Sequence, residues 1–84
     1  MPKSDYNGWK NRTTWNIMLW LDNDEVSYFC YKGMVRKFLE NNSRLTAGAA
    51  RKIALNVLGP STPDGCKVTA KCVDWKAIAE GMME

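Results

Sequence analysis

The chain has 84 residues, with 12 lysines and arginines against 9 acids, no histidine, 45% hydrophobic residues and a formal charge of +3. That length suits one core and leaves none for a second, so residues 1–84 are expected to fold as a single domain. Lack of imidazole removes the usual proton carrier at neutral pH and, with it, Ser–His–Asp and Cys–His nucleophiles.

No phosphate loop or GxGxxG is present, and Cys30, Cys66 and Cys72 lack the C-x2-C spacing of a zinc site. No catalytic residue, metal or cofactor is assigned, and the chain reads as a non-enzyme. Reduced thiols are the simpler reading of three cysteines; a Cys66–Cys72 bridge stays open only if their Cα atoms lie within ~4.4–6.8 Å. The longest apolar run, Ile17–Leu21, falls far short of the ~20 residues of a membrane span. Met1–Gly8 has no apolar signal region, so the cytoplasm is the expected setting and no membrane is involved.

Along the chain, residues 1–10 read as an extended or turn-rich arm with a turn at Asn7-Gly8, ordered because Tyr6 and Trp9 tie it to the core. A first helix is expected after Thr13, as its cap, running through Trp15-Asn16-Ile17-Met18-Leu19-Trp20-Leu21. It is apolar nearly all round, which suits a central helix or one with a face left for a partner, and its aromatic content leaves a strand reading open. Asp22 followed by Glu25 resembles a capping box, with Leu21 stapled against Val26.

The second helix should then reach Glu40 or Asn41. Val26, Phe29, Cys30, Gly33, Met34 and Phe38 would turn toward the core, and Lys32, Arg36 and Lys37 outward. Gly33 costs ~1 kcal/mol relative to alanine, so it is expected to admit another element closely, such as a tryptophan. Thr46 caps a third helix from Ala47 to Leu58, with Ala50, Ile53, Ala54, Val57 and Leu58 on one stripe and Gly59-Pro60 ending it. Residues 59–72 read as a connection with a turn at Pro63-Asp64-Gly65, and Val68 and Ala70 as at most an edge-like segment. Asp74 caps the last helix, where Trp75, Ile78, Ala79 and Met82 share a face and Val73 staples onto Ile78. The expected fold class is all-α: a compact small bundle of about four short helices with an ordered N-terminal arm.

The segment Asn7–Glu25, NGWKNRTTWNIMLWLDNDE, resembles the opening signature of a family of small, mostly uncharacterised bacteriophage and plasmid proteins. A weaker likeness lies in Val73-Asp74-Trp75-Lys76-Ala77-Ile78-Ala79, and residues 26–61 carry none. The resemblance implies a setting, a phage or mobile-element product in the cytoplasm of a bacterial host cell, and no catalytic residue.

Three groups are candidates for contact. Trp9, Asn11, Trp15, Asn16, Trp20, Asn23 and Asp24 read first as a folding element, with asparagines capping turns and helix ends, and second as a recognition surface. Lys32, Arg36, Lys37, Arg44, Arg51 and Lys52 are opposed between residues 32 and 52 only by Glu40. They form either a solvated face with an Arg36–Glu40 pair or one positive face for a partner. Trp20, Tyr28 and Tyr31 are the possible aromatic contacts. The expected function is a non-enzymatic protein that binds, and inhibits, a host protein complex, in host takeover or anti-defence such as anti-CRISPR. The alternative is a small nucleic-acid-binding accessory protein using residues 32–52; self-association through the first helix is a third.

Overall fold

The computed structural model describes residues 8–83, so the part of the arm that holds Tyr6 and Asn7 lies outside the described residues. Four helices follow in order: α1 (Arg12–Asn23), α2 (Glu25–Leu39), α3 (Ala47–Leu58) and α4 (Trp75–Met83). The all-α bundle is as expected, and α1 is a helix rather than a strand. Its core gathers Ile17, Met18 and Leu21 of α1, Tyr31 and Val35 of α2, Ala50, Ile53 and Ala54 of α3, and Ile78, Ala79 and Met82 of α4. On α1 itself Ile17, Met18 and Leu21 are buried, while Trp15, Leu19 and Trp20 stay partly exposed. No helix among the described residues is long and apolar enough to cross a membrane.

Caps set where each helix begins. Asn11, not Thr13, caps α1: its Oδ1 accepts from the Thr14 amide at 2.9 Å. Asp24, not Asp22, caps α2, accepting from both the amide and the hydroxyl of Ser27. A single residue therefore ends one helix and starts the next, and the Leu21–Val26 staple cannot form because Val26 points into solvent. Thr46 caps α3 through the Ala49 amide, and Gly59, at φ 82°, ends it in a positive-φ conformation that only glycine takes cheaply. Asp74 accepts from the Ala77 amide at the start of α4. These last two helices lie as the sequence predicts, stripe included.

The face of α2 is the main departure. Its buried residues are Ser27, Tyr31 and Val35, with Phe38 and Leu39 partly covered. Val26, Phe29 and Cys30, expected inside, are exposed, and Met34 is 38% exposed. Two apolar stripes compete on this helix, and the one containing Tyr31 wins because the abrupt turn at Asp24 places Asp22, at the end of α1, where its carboxylate accepts a hydrogen bond from the Tyr31 hydroxyl. Tyrosine can then bury its whole ring without stranding its polar tip. Lys32 lies over the Tyr28 and Tyr31 rings, 5.6 and 5.5 Å from their centroids.

Gly33 does not admit a neighbour: a Cβ there would meet nothing within 4 Å. The glycine that meets a tryptophan is Gly81, where a Cβ would sit 3.1 Å from Trp9 Cη2. Trp9 packs against the core as expected of it, at the end of α4.

Candidate functional site

The opening signature is spent inside the molecule. Asn16, fully buried on α1, donates its amide to Asp64 Oδ2 at 2.9 Å and accepts from the Thr62 hydroxyl at 2.6 Å. That hydroxyl in turn accepts from the Cys66 amide. Trp20 donates its indole N–H to the same Asp64 oxygen at 2.9 Å. Asn11 Nδ2 donates to the Cys72 carbonyl, the Asp74 amide donates to Thr14 Oγ1, and Arg12 reaches the Cys66 sulfur at 3.7 Å.

One polar side of α1 therefore holds the whole 61–74 connection in place, including the Pro63-Asp64-Gly65 turn, where Gly65 has φ 91°. Asn16 clamps this turn through Thr62 and Asp64. The two donated hydrogen bonds, helped by the nearby charge of Arg12, hold the Asp64 carboxyl below its ordinary range. No buried side-chain nitrogen or oxygen among the described residues lacks a partner. Among the described residues no group of three or more His, Cys, Asp or Glu is placed to hold a metal ion.

Of the aromatic candidates, Trp20 is tied to Asp64 and only half-exposed, and Tyr31 is 1% exposed with its hydroxyl on Asp22. Tyr28 alone stands open, edge-on to Phe29 with ring centroids 5.7 Å apart.

The basic residues divide. Lys32 is half-buried and donates to the Met82 carbonyl at the end of α4, 3.4 Å away, where a cation suits the negative pole of that helix. Lys32 and Arg36 border an open groove of about 340 Å³ floored by Val35, Leu39, Met82 and Met83, with Glu40 at its rim. Lys37 is exposed on α2, Arg44 on the connection before α3, and Arg51 and Lys52 on α3.

Part of the α2 stripe expected in the core stands open instead. Val26 is 71% exposed and Phe29 66%, with Cys30 and Gly33 beside them, at positions i, i+3, i+4 and i+7 of α2. Arg36 and Lys37 follow on the same outward side, so the face is apolar in its N-terminal half and basic in its C-terminal half. The signal was legible as periodicity; which way it faced was not.

The described residues thus form a small helical domain in which α1 bonds to residues 61–74 and α2 leaves one apolar face exposed. The chain belongs to the DUF7249 family, a family of unknown function whose model matches residues 2–84. No curated protein and no solved structure matches it.

Proposed function

We propose that this is a non-enzymatic binding protein of bacteriophage or mobile-element origin that docks on a host protein complex and inhibits it by occlusion. The contact surface is the outward face of α2: Val26 and Phe29 as apolar anchors, Arg36 and Lys37 as the charged end. One observation carries this reading, the exposure of Val26 at 71% and Phe29 at 66% on a helix whose other face is already packed. Leaving two such side chains in water forgoes about 1.5–3 kcal/mol each, a cost that a binding surface recovers on contact. The likeness of Asn7–Glu25 to phage and plasmid proteins supplies the setting. An apolar patch beside the cations favours a protein partner over a phosphate backbone, which calls for cations alone along its track.

The test is capture from bacterial lysate with and without nuclease, using wild type, Phe29→Glu and Arg51→Glu. A stoichiometric host protein that survives nuclease, is lost with Phe29→Glu and is kept with Arg51→Glu supports the reading. Loss of all captured material on nuclease treatment, with affinity for random duplex that falls steeply with salt, replaces it with nucleic-acid binding through Arg36, Lys37, Arg44, Arg51 and Lys52.

A further inference from the structure

The outward face of α2 is complementary to itself, and the geometry points to a second copy of this chain as its occupant when no other partner is present. Read from its N-terminus, the face runs acid, apolar, base: Glu25, then Val26, Phe29, Cys30 and Gly33, then Arg36 and Lys37, all exposed. Glu25 and Arg36 are about three helical turns apart, so they stand on the same side of this face. Two copies laid antiparallel about a two-fold axis between residues 30 and 31 bring each Glu25 opposite the Arg36 of the other copy, at both ends of the contact. A parallel pairing would instead set like charges together at each end.

Shape points the same way. In the antiparallel register Phe29 of each copy falls within one residue, about 1.5 Å along the axis, of Gly33 of the other, and Gly33 is open, with nothing within 4 Å of where a Cβ would stand. A large ring opposite a residue with no side chain is the knob and hole that let two helices approach to about 8–10 Å. Glu40 lies one turn beyond Arg36 and falls outside the Glu25–Arg36 overlap. A self-matching patch is what a two-fold interface requires, because every contact is made twice.

Three turns of one helix bury less than the ~1,200 Å² of a stable interface, so the pair dissociates readily. Such a dimer covers Val26 and Phe29 in the free protein and opens when a partner competes for them. This inference rests on the reading of α2 as a docking face and names the occupant that regulates it; its test needs no host protein.

Mass in solution, measured by sedimentation equilibrium from about 1 μM to 1 mM under reducing conditions, should move from one chain toward two. Phe29→Glu should stay at one chain throughout. Glu25→Arg and Arg36→Glu, each of which sets two like-charged pairs together, should each weaken association about ten-fold, and the double variant should recover most of it. All three sites are exposed, and unchanged far-ultraviolet helicity confirms that each variant folds. In a Cys72→Ser background a short bis-maleimide should join Cys30 to Cys30 in dimers.

Wild type that remains one chain at 1 mM overturns the inference, as does a double variant no better than its worse parent. A chain that stays monomeric while Phe29→Glu loses a lysate partner sinks the dimer and leaves the docking face standing. A dimer whose Phe29→Glu variant still captures the same host protein sinks the docking reading instead.

Discussion

The polar side of α1 keeps the role its sequence suggests first, whereas the outward side of α2 reverses its own. Asn11, Asn16 and Trp20 read as a folding element before a recognition surface, and with Arg12 and Thr14 each is bonded to residues 61–74. Val26, Phe29, Cys30 and Gly33 look like a core stripe, yet they face solvent. Polar residues in a tight pattern can exist to hold a loop that has no sheet or helix of its own, because every backbone group it buries needs a partner. An apolar stripe at helical spacing needs only some surface to cover it, and that surface can belong to another molecule.

The sharpest way to break this contrast is to substitute one residue from each region. Asn16→Ala removes the donor to Asp64 and strands the Thr62 hydroxyl in a buried site, and should cost about 3 kcal/mol. Phe29→Glu should leave stability within about 0.5 kcal/mol of wild type, as expected of a surface site. Urea denaturation of the two variants measures both. If Phe29→Glu proves the more destabilising, the outward face of α2 is packed and the docking surface does not exist.

The next effect sharpens the inward side of α2. Burial and the bond to Asp22 raise the Tyr31 hydroxyl well above its ordinary pKa of 10. The folded protein therefore keeps this proton when the unfolded chain has lost it. Stability that is fully present below pH 10 should fall as pH rises through and beyond that value. Tyr31→Phe, which has no proton to lose, should flatten this alkaline decline in thermal melts, while Tyr28→Phe on the open side should leave its Tyr31 share intact.

Legibility followed whether one stretch of chain held the whole answer. For α3 it did: Thr46, five apolar residues on one stripe and Gly59 specify cap, face and stop locally, and the structure matches them. α4 was similar, from Asp74 to Met82. In α2 two stripes share fifteen residues, and the choice between them depends on the Tyr31–Asp22 contact across the α1–α2 turn. The capping-box pattern also pointed to Asp22 when Asp24, two residues on, had Ser27 in reach. The latch between Asn16, Thr62 and Asp64 joins residues nearly fifty positions apart, and no local pattern encodes such a pairing.

A smaller effect separates two glycines. Gly33, mid-helix with open space around it, should gain up to about 1 kcal/mol on replacement by alanine, since the added methyl lowers the entropy cost of the helix and meets nothing. At Gly81 the same methyl sits 3.1 Å from Trp9 and 3.5 Å from Met18, so Gly81→Ala should gain less or lose stability. Gly33→Ala carries a second reading: it fills the hole opposite Phe29, so a variant that melts higher should also dimerise more weakly.

The smallest effect lies on the acid side and probes the latch alone. Asp64 is exposed, and its carboxyl is held below the ordinary value of 3.8 first by the Asn16 amide, then by the Trp20 indole, with Arg12 adding to both. A carboxyl with a lowered folded pKa contributes stability above the unfolded value and loses it as pH falls through the folded one. Wild type should therefore lose melting temperature below about pH 4 partly through this group. Asp64→Asn keeps an oxygen that accepts from Asn16 and Trp20 but cannot titrate, so it should melt lower than wild type at pH 7 and converge on it near pH 3. Gly33→Ala, on the other helix, should run parallel to wild type over the whole range. An Asp64→Asn variant with the full wild-type acid slope would mean that the latch carries no net electrostatic stabilisation, and that its hold on residues 61–74 comes from the buried Asn16–Thr62 bond and from Asn11 and Thr14.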